Sequence, residues 1–299
     1  MKALVLHGTN NFFQVACEDA QIRRCTIKGK ILAQEMRQHN PLAPGDYVEV
    51  EVDALDKTEA QILALHPRKN YFARFNEKTK SPQVLAANID LILCLCTPDT
   101  PPFRPIFIDR VLVQAASQNI PVLIVLNKID LPISEAVHAR VEDWQRLGYR
   151  VEKVSAKNGT GIAQLIAAVK NKTVCIVGQS GVGKSSLLNA IEPSLQLSTA
   201  AVSEKYNKGS HTTTRGSVYR IPRLNLSIID TPGIKNFVLA GIPREDIALY
   251  FPEMKSAIGT CKFGLSCSHM SETGCEIQKR LAEGKISPMR FESWLNMLE

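Results

Sequence analysis

The 299-residue sequence predicts an α/β fold in three parts: a small front β-barrel, a central parallel sheet flanked by helices, and a short cysteine-bearing tail. Three observations predict it. Five short alternating runs lie within residues 1–66, apolar strand-like runs alternate with amphipathic helix-like runs over 84–178, and three cysteines and a histidine crowd into 261–275. A prior of about 150 residues per domain allows two or three units. With 44% hydrophobic and 22% charged residues the composition is that of an ordinary globular chain able to bury a sizeable core. No run reaches the ~18 apolar residues of a membrane span, and "MKALVLHGTNNF" lacks the apolar core of a signal peptide. The expectation is a cytoplasmic protein with no membrane contact, monomeric by default.

The front runs are "ALVL", "FFQVAC", "RRCTIKGK", "DYVEVEV" and "AQILALH", broken by Gly, Pro and Asn. Five strands in so short a segment suggest a small barrel, the oligonucleotide-binding (OB) type being one candidate and an SH3-like barrel another. "HPRKN" (66–70) reads as a linker, giving expected units 1–68, 69–236 and 237–299. The net charge of +7 is uneven: these units hold 8 basic and 9 acidic, 21 and 12, and 7 and 8 side chains. The excess in the middle suits bound phosphates and an RNA-bearing partner, though a solvated basic face explains part of it equally well. Cys17, Cys25, Cys94, Cys96 and Cys175 lie in apolar runs and read as reduced core residues.

In the central part a strand at 89–96 precedes a helix near 109–118, with Ile108, Val111, Leu112 and Ala115 on one face. The strand 121–126 ends in "NKID", and Ser134 caps a helix to about 147 carrying Val137, Val141 and Trp144 on one stripe. A strand at 149–154 runs into "SAK" (155–157) and the helix "GIAQLIAAVK". "TVCIVG" then leads through a glycine loop to the helix "KSSLLNAI". Residues 192–214 lack periodicity and read as a mobile loop, followed by a hairpin, "GSVYRI" and "LNLSIID", that ends at "DTPG" (230–233).

"GQSGVGKS" fits G-x-x-x-x-G-K-[ST] between a β-branched strand and a helix. The backbone N–H groups of Gly178, Gln179, Ser180, Gly181, Val182, Gly183, Lys184, Ser185 and Ser186 form an anion cradle at a helix N-terminus. Lys184 would contact the β- and γ-phosphates and Ser185 would ligate Mg²⁺. Asp230 can hold a Mg²⁺-bound water and the Gly233 amide can sense the γ-phosphate. Thr212, Thr213 and Thr214 offer a hydroxyl for the same Mg²⁺ in the triphosphate state, Thr213 and Thr214 being the candidate ligands, and the sequence does not decide which serves.

"NKID" (Asn127, Lys128, Ile129, Asp130) closes an apolar strand, where ligand residues of an open α/β sheet belong. The Asp130 carboxylate can accept from guanine's ring N–H and exocyclic amine, whereas adenine lacks the ring donor. Such a site discriminates by about 10⁴ or more. Asn127 would bond the base edge and brace the loops, the Lys128 stem would cover the base face, and the Ala156 amide of Ser155–Ala156–Lys157 would meet the guanine oxygen. The ligands are therefore GTP and GDP. A standard small GTPase domain has six strands with the phosphate loop first and N-K-x-D and S-A-K last. Here the last three strands come first, so the domain is a circularly permuted P-loop GTPase domain cut after "DTPG". The segment after the cut normally rearranges when the γ-phosphate is lost, which leads one to expect that nucleotide state reaches both flanking domains. The position of the water-orienting glutamine in Ras-like GTPases holds Ile234, so intrinsic hydrolysis should be slow, with His211 the candidate to position the water.

Cys261-x5-Cys267-x-His269-x5-Cys275 offers three thiolates and an imidazole, a closed structural Zn²⁺ set. Reduced thiols in a loop are the alternative. Zinc is favoured because 237–299 is too short for a robust core without a staple. The segment from Glu276 reads as helix, packing through Ile277, Leu281, Phe291, Trp294 and Leu295.

With these parts assembled, the chain resembles the RsgA (YjeQ/YloQ) family of small-ribosomal-subunit-dependent GTPases. The resemblance runs through "IKGK", "PGDYVEVEV", "HPRKNYFAR", "NKID", "SAK", "GQSGVGKSSLLN", "GSHTTT", "DTPGIK", the Cys/Cys/His/Cys cluster and "EGKISPMRFESW". It implies an N-terminal OB barrel, a mainly helical zinc domain, binding to the small subunit and its rRNA in late maturation, and hydrolysis stimulated by the subunit. It also implies that His211 positions the water. Five residues separate Cys261 from Cys267 where the family usually has four, and Ser210 stands where many members have a basic residue. RNA contact by the front barrel would rest on Arg23, Arg24, Lys28 and Lys30. Two other readings compete: an RNA-binding placeholder whose nucleotide only sets affinity, and a permuted GTPase of the large subunit.

Overall fold

A computed structural model describes residues 1–8, 12–28, 41–199, 216–234 and 236–299. Ser210, His211, Thr212, Thr213 and Thr214, and Lys30, lie outside the described residues.

Five front strands, β1 (Lys2–Gly8), β2 (Phe13–Cys17), β3 (Ile22–Ile27), β4 (Tyr47–Val52) and β5 (Glu59–Leu65), close in the order β1-β2-β3-β5-β4. Only the β3–β5 pair is parallel, so the barrel is of OB type. Alternate residues point inward: Val5, Phe13, Val15, Cys25, Val48, Val50 and Ile62 form its core. The expected linker 66–70 is pinned at its middle and at its far end. Arg68 forks onto the buried Asp46 at 2.7 and 2.8 Å, and the Asn70 side chain bonds both Ile89 N and Ile89 O. Beyond it lies a hairpin that the sequence reading lacked, β6 (Tyr71–Asn76) paired antiparallel with β7 (Ser81–Ala87). Its turn contains no glycine; Asn76 Oδ1 accepts from Lys78 N and Thr79 N instead.

Six strands, β8 (Leu91–Cys96), β9 (Val122–Leu126), β10 (Arg150–Lys153), β11 (Thr173–Gly178), β12 (Ser217–Ile221) and β13 (Leu226–Asp230), form one sheet in the order β10-β9-β8-β11-β13-β12. All its pairs are parallel except β12–β13. Period-two alternation divides the core. Ile92, Cys94, Cys96 and Cys175 face α1 (Pro105–Ala116) and α2 (Glu135–Arg146), while Leu91, Leu93 and Leu95 face α3 (Ile162–Val169) and α4 (Lys184–Ile191). All five cysteines read as core are buried and free. Helix α1 starts earlier than expected because Pro105 occupies its first turn, whereas Ser134 Oγ caps α2 as expected, accepting from Val137 N. The strand order puts the carboxyl ends of β9, β10, β11 and β13 along one edge of the sheet, where the site forms.

After Gly233 the chain is stitched to older parts of the fold. Phe237 stacks on Phe72 of β6 at 5.3 Å, Phe75 N donates to Val238 O, and Gln114 of α1 exchanges hydrogen bonds with Ala240. The tail contains α5 (Pro252–Lys255), α6 (Glu276–Ala282) and α7 (Pro288–Leu298). The single helix expected from Glu276 is thus two, because Ser287 caps a new start with Pro288 in its first turn. Ile277 and Trp294 are buried, with Leu281, Phe291 and Leu295 packed against them as expected. Tail and sheet meet in a buried ionic quartet: Asp109 of α1 accepts from Arg140 of α2 and, at 2.5 Å, from Arg290 of α7. Arg290 also holds Glu253 of α5 at 2.7 Å. Among the described residues no helix is long and apolar enough to cross a membrane.

Candidate nucleotide site and metal centre

Between β11 and α4 the phosphate loop takes the tight path its glycines allow. Gly183 has φ +90, and a Cβ there would come within 2.5 Å of Asn127 Nδ2. This close approach lets Asn127 donate to Val182 O at 2.9 Å while its Oδ1 accepts from Ala156 N at 3.2 Å. One side chain thus ties the phosphate loop, "NKID" and "SAK" together. Gly233 lies against the same loop, since a Cβ on it would be 3.0 Å from Ser180 Cα, and Ile234 N donates to Gly178 O. Ile234 itself is 1% exposed in the sheet core, where it cannot handle a water.

Lys184 is buried and donates to Gly178 O and Gln179 O at 3.2 and 3.3 Å, and burial lowers its pKa. Asp230 at the end of β13 is buried too. Burial pushes its carboxyl up to about 6, against the pull of Lys184, and Oδ1 has no hydrogen-bond partner among the described residues. An orphaned buried carboxylate oxygen beside a phosphate loop fits a Mg²⁺ ion and its water. Val182 is a core residue, Ser185 and Ser186 are half-buried at the start of α4, and the buried Gln179 has no partner for its Nε2 among the described residues.

A cleft of about 530 Å³ opens beside this loop, lined by Thr100, Asn127, Lys128, Asp130, Leu131, Ala156, Lys157, Gly183 and Ser186. Asp130 accepts from Ser155 Oγ at 2.5 Å, which holds its carboxyl below the usual range, and Lys157 Nζ stands 4.0 Å from it. Ile129 packs on the sheet core and does not line the cleft. Thr100 and Leu131 were missed by the sequence reading. Leu131 follows "NKID" directly, but Thr100 comes from the loop after β8, which carries no motif.

In the tail, Cys261, Cys267, His269 and Cys275 are all buried, with their ligand atoms within 4.8 Å of one another. Cys261 Sγ lies 3.9 Å from Cys275 Sγ and 3.4 Å from His269 Nδ1, and Cys275 Sγ lies 3.6 Å from that nitrogen. A tetrahedral Zn–thiolate set with bonds of ~2.3 Å has S···S edges of about 3.8 Å, so the four residues fit a metal ion. Glu276 N donates to Cys261 Sγ, the kind of outer contact that orients a ligand.

The sequence model of the RsgA GTPase family matches residues 65–240, more than half of the chain. The chain belongs to the RsgA GTPase family. It is 37% identical over 303 residues to a Bacteroides fragilis relative named small ribosomal subunit biogenesis GTPase RsgA, covering 100% of this chain and 96% of that one. A Borreliella afzelii relative of the same name is 39% identical over 297 residues, covering 98% and 94%. The fold is similar to the crystal structure of YjeQ from Thermotoga maritima, with TM-score 0.74 at 28% identity over 99% and 96% of the two chains. YloQ, described as a circularly permuted GTPase, superposes with TM-score 0.70 at 23% identity over 99% and 93%, a likeness of fold alone. The strand order bears out the permutation: β11 sits between β8 and β13, although β8, β9 and β10 precede it in the chain. As a member of a GTPase family the chain is a GTP hydrolase, and its nucleotide carries Mg²⁺.

Proposed function

We propose that the chain acts on the small ribosomal subunit late in its maturation, hydrolysing GTP to GDP and phosphate with subunit-stimulated turnover. The observation that carries this reading is the Asp130 carboxylate, fixed by Ser155 on the wall of a cleft that ends at Gly183 and Ser186 of the phosphate loop. Guanine lies between Asp130 and the Lys128 stem, and the phosphates lie along 178–186. Ser185, Asp230 and one of Thr213 and Thr214 hold Mg²⁺, which offsets charge developing on the phosphates. His211 positions the water. Cys261, Cys267, His269 and Cys275 hold one structural zinc, for which three soft thiolates and a closed tetrahedral set argue.

The three-part division at 1–68, 69–236 and 237–299 is supported by a barrel core of its own, while the tail core takes in Val113 of α1. Contact with rRNA falls to fewer front-barrel residues than the sequence suggested. Arg23 is 6% exposed, forked onto Asp19 and bonded to Lys57 O, so it serves the barrel. Arg24 and Lys28 remain at the surface, Arg24 stacked 3.8 Å over Phe12 and Lys28 paired with Glu51. The protein works as a cytoplasmic monomer.

The test is steady-state GTP hydrolysis alone, with small subunits and with large subunits. Stimulation by small subunits only is expected; stimulation by neither, with GTP still bound, overturns the reading. Burial of Ile234 favours slow intrinsic turnover and keeps a placeholder role in play. His211→Ala separates the two, because a placeholder would still mature subunits with turnover abolished.

A further inference from the structure

The loop after β8, "TPDTPPF" (97–103), leans on the nucleotide cleft from a side that no motif marks. Lys128 Nζ donates to two carbonyls, Gly181 O of the phosphate loop at 2.8 Å and Thr100 O of this loop at 2.7 Å. Lys128 itself has φ +63, a left-handed backbone uncommon for a residue with a side chain, and these two carbonyls are what its far end bonds. The bond to Thr100 O depends on where the loop places that carbonyl. Three of the five residues 98–102 are proline, which has no N–H to close a turn. A side chain supplies the tie instead. Thr97, 1% exposed at the end of β8, donates its hydroxyl to Pro101 O at 2.7 Å. Pro101 in turn faces the phosphate loop, its Cδ 3.7 Å from where a Cβ on Gly181 would stand, and Phe103 anchors the far end edge-on against Trp144.

We propose that Thr97 is a positioning residue for guanine-nucleotide binding, its hydroxyl shaping the 97–101 loop so that the Thr100 carbonyl holds Lys128 along the cleft. The proposal rests on the reading of the cleft as a guanine-nucleotide site. Thr97 acts through Lys128 and touches no ligand. Both partners of the ammonium are protein carbonyls, so the brace supports the base-covering stem and is indifferent to the γ-phosphate. Base discrimination stays with Asp130.

The experiment measures dissociation constants of fluorescently labelled GDP and a labelled non-hydrolysable GTP analogue with the full-length protein and Mg²⁺. The variants are Thr97→Val, which removes the hydroxyl at constant volume, Thr97→Ser, Lys128→Met and the Thr97→Val/Lys128→Met pair. Loss of one buried hydrogen bond corresponds to about fivefold to tenfold in affinity. Thr97→Val is expected to weaken both nucleotides by that factor, to raise KM for GTP with kcat within about twofold, and to be rescued by Thr97→Ser. In the Lys128→Met background the same change adds less than about twofold, since the group it positions is gone. Should Thr97→Val fail to fold, Thr97→Ala reads the same loss. Unchanged affinity in a folded variant, or the full loss persisting in the Lys128→Met background, overturns the proposal. Wild-type protein that binds no guanine nucleotide overturns instead the reading on which it rests.

Discussion

Replacing Arg290 with methionine tests how the tail is held to the sheet. Arg290 is fully buried, stacked 4.3 Å from Phe251, and it holds Asp109 at 2.5 Å and Glu253 at 2.7 Å. Methionine keeps most of the side-chain volume, so the packing cost stays small, about 1 kcal/mol. The larger cost is electrostatic. Asp109 retains Arg140 and the Trp144 Nε1 donor at 2.8 Å, but the Glu253 side chain, itself 3% exposed, loses its cation. Leaving a buried charge uncompensated costs about 3–5 kcal/mol. For a unit of 150–250 residues this lowers the melting temperature by roughly 10 °C. The chain's two tryptophans, Trp144 on the sheet side and Trp294 in the tail core, report the transition by fluorescence, while proteolysis beyond residue 240 reports local undocking. Adding Glu253→Gln to Arg290→Met should recover part of the loss, because it removes the stranded charge. Stability within about 1 kcal/mol of wild type, with no gain from the second change, would refute the reasoning.

Three further outcomes are expected. Asp130→Asn replaces a double acceptor by a group that also donates, so GTP affinity should fall at least about 10³-fold while xanthosine triphosphate, with a carbonyl in place of the exocyclic amine, becomes preferred in competition binding. In nucleotide- and metal-free protein, burial lifts Asp230 from 3.8 to about 6, so its contribution to stability is fully present below pH ~4 and is lost as pH rises through about 6. Asp230→Asn should therefore stabilise that form by up to about 3 kcal/mol at pH 8 and by little at pH 4, in urea melts at both pH values, while Mg²⁺-dependent GTP binding is lost. Chelation, or Cys275→Ser, should release one equivalent of zinc by elemental analysis and open the tail core around Trp294, leaving GDP binding to the sheet intact.

How much of this was legible depended on whether the information was local. The phosphate loop, "NKID", "SAK" and "DTPG" are short strings whose chemistry is fixed by residue type and spacing, and counting strands between them revealed the permutation. The front barrel was legible from its five alternating runs, but its type was not legible from those runs, because the parallel pairing of β3 with β5 is a long-range contact that alternation does not encode. The β6–β7 hairpin escaped because its turn lacks glycine and the last four residues of β7 are buried without alternation. Arg23 misled as a candidate RNA contact, since nothing in "RRC" says that Asp19 takes up the first arginine. Thr100 and Thr97 act through a backbone carbonyl and a loop-internal bond, which no residue pattern announces. The expectation that nucleotide state reaches both flanking parts also meets an asymmetry: Phe237 leans on the hairpin, while the tail is bolted to α1 and α2.

The cut that moved the guanine-reading strands ahead of the phosphate loop also reorders synthesis. Strand β8 has all six residues buried and needs neighbours on both edges, β9 on one and β11 on the other. The first follows soon, but Gly178 emerges roughly 80 residues after Cys96, about 4–16 s later at translation rates of ~5–20 residues per second. For that interval the nascent chain carries a wholly apolar strand with an open edge, in the form most prone to pair with another chain. In the unpermuted order the phosphate-loop strand would already be waiting.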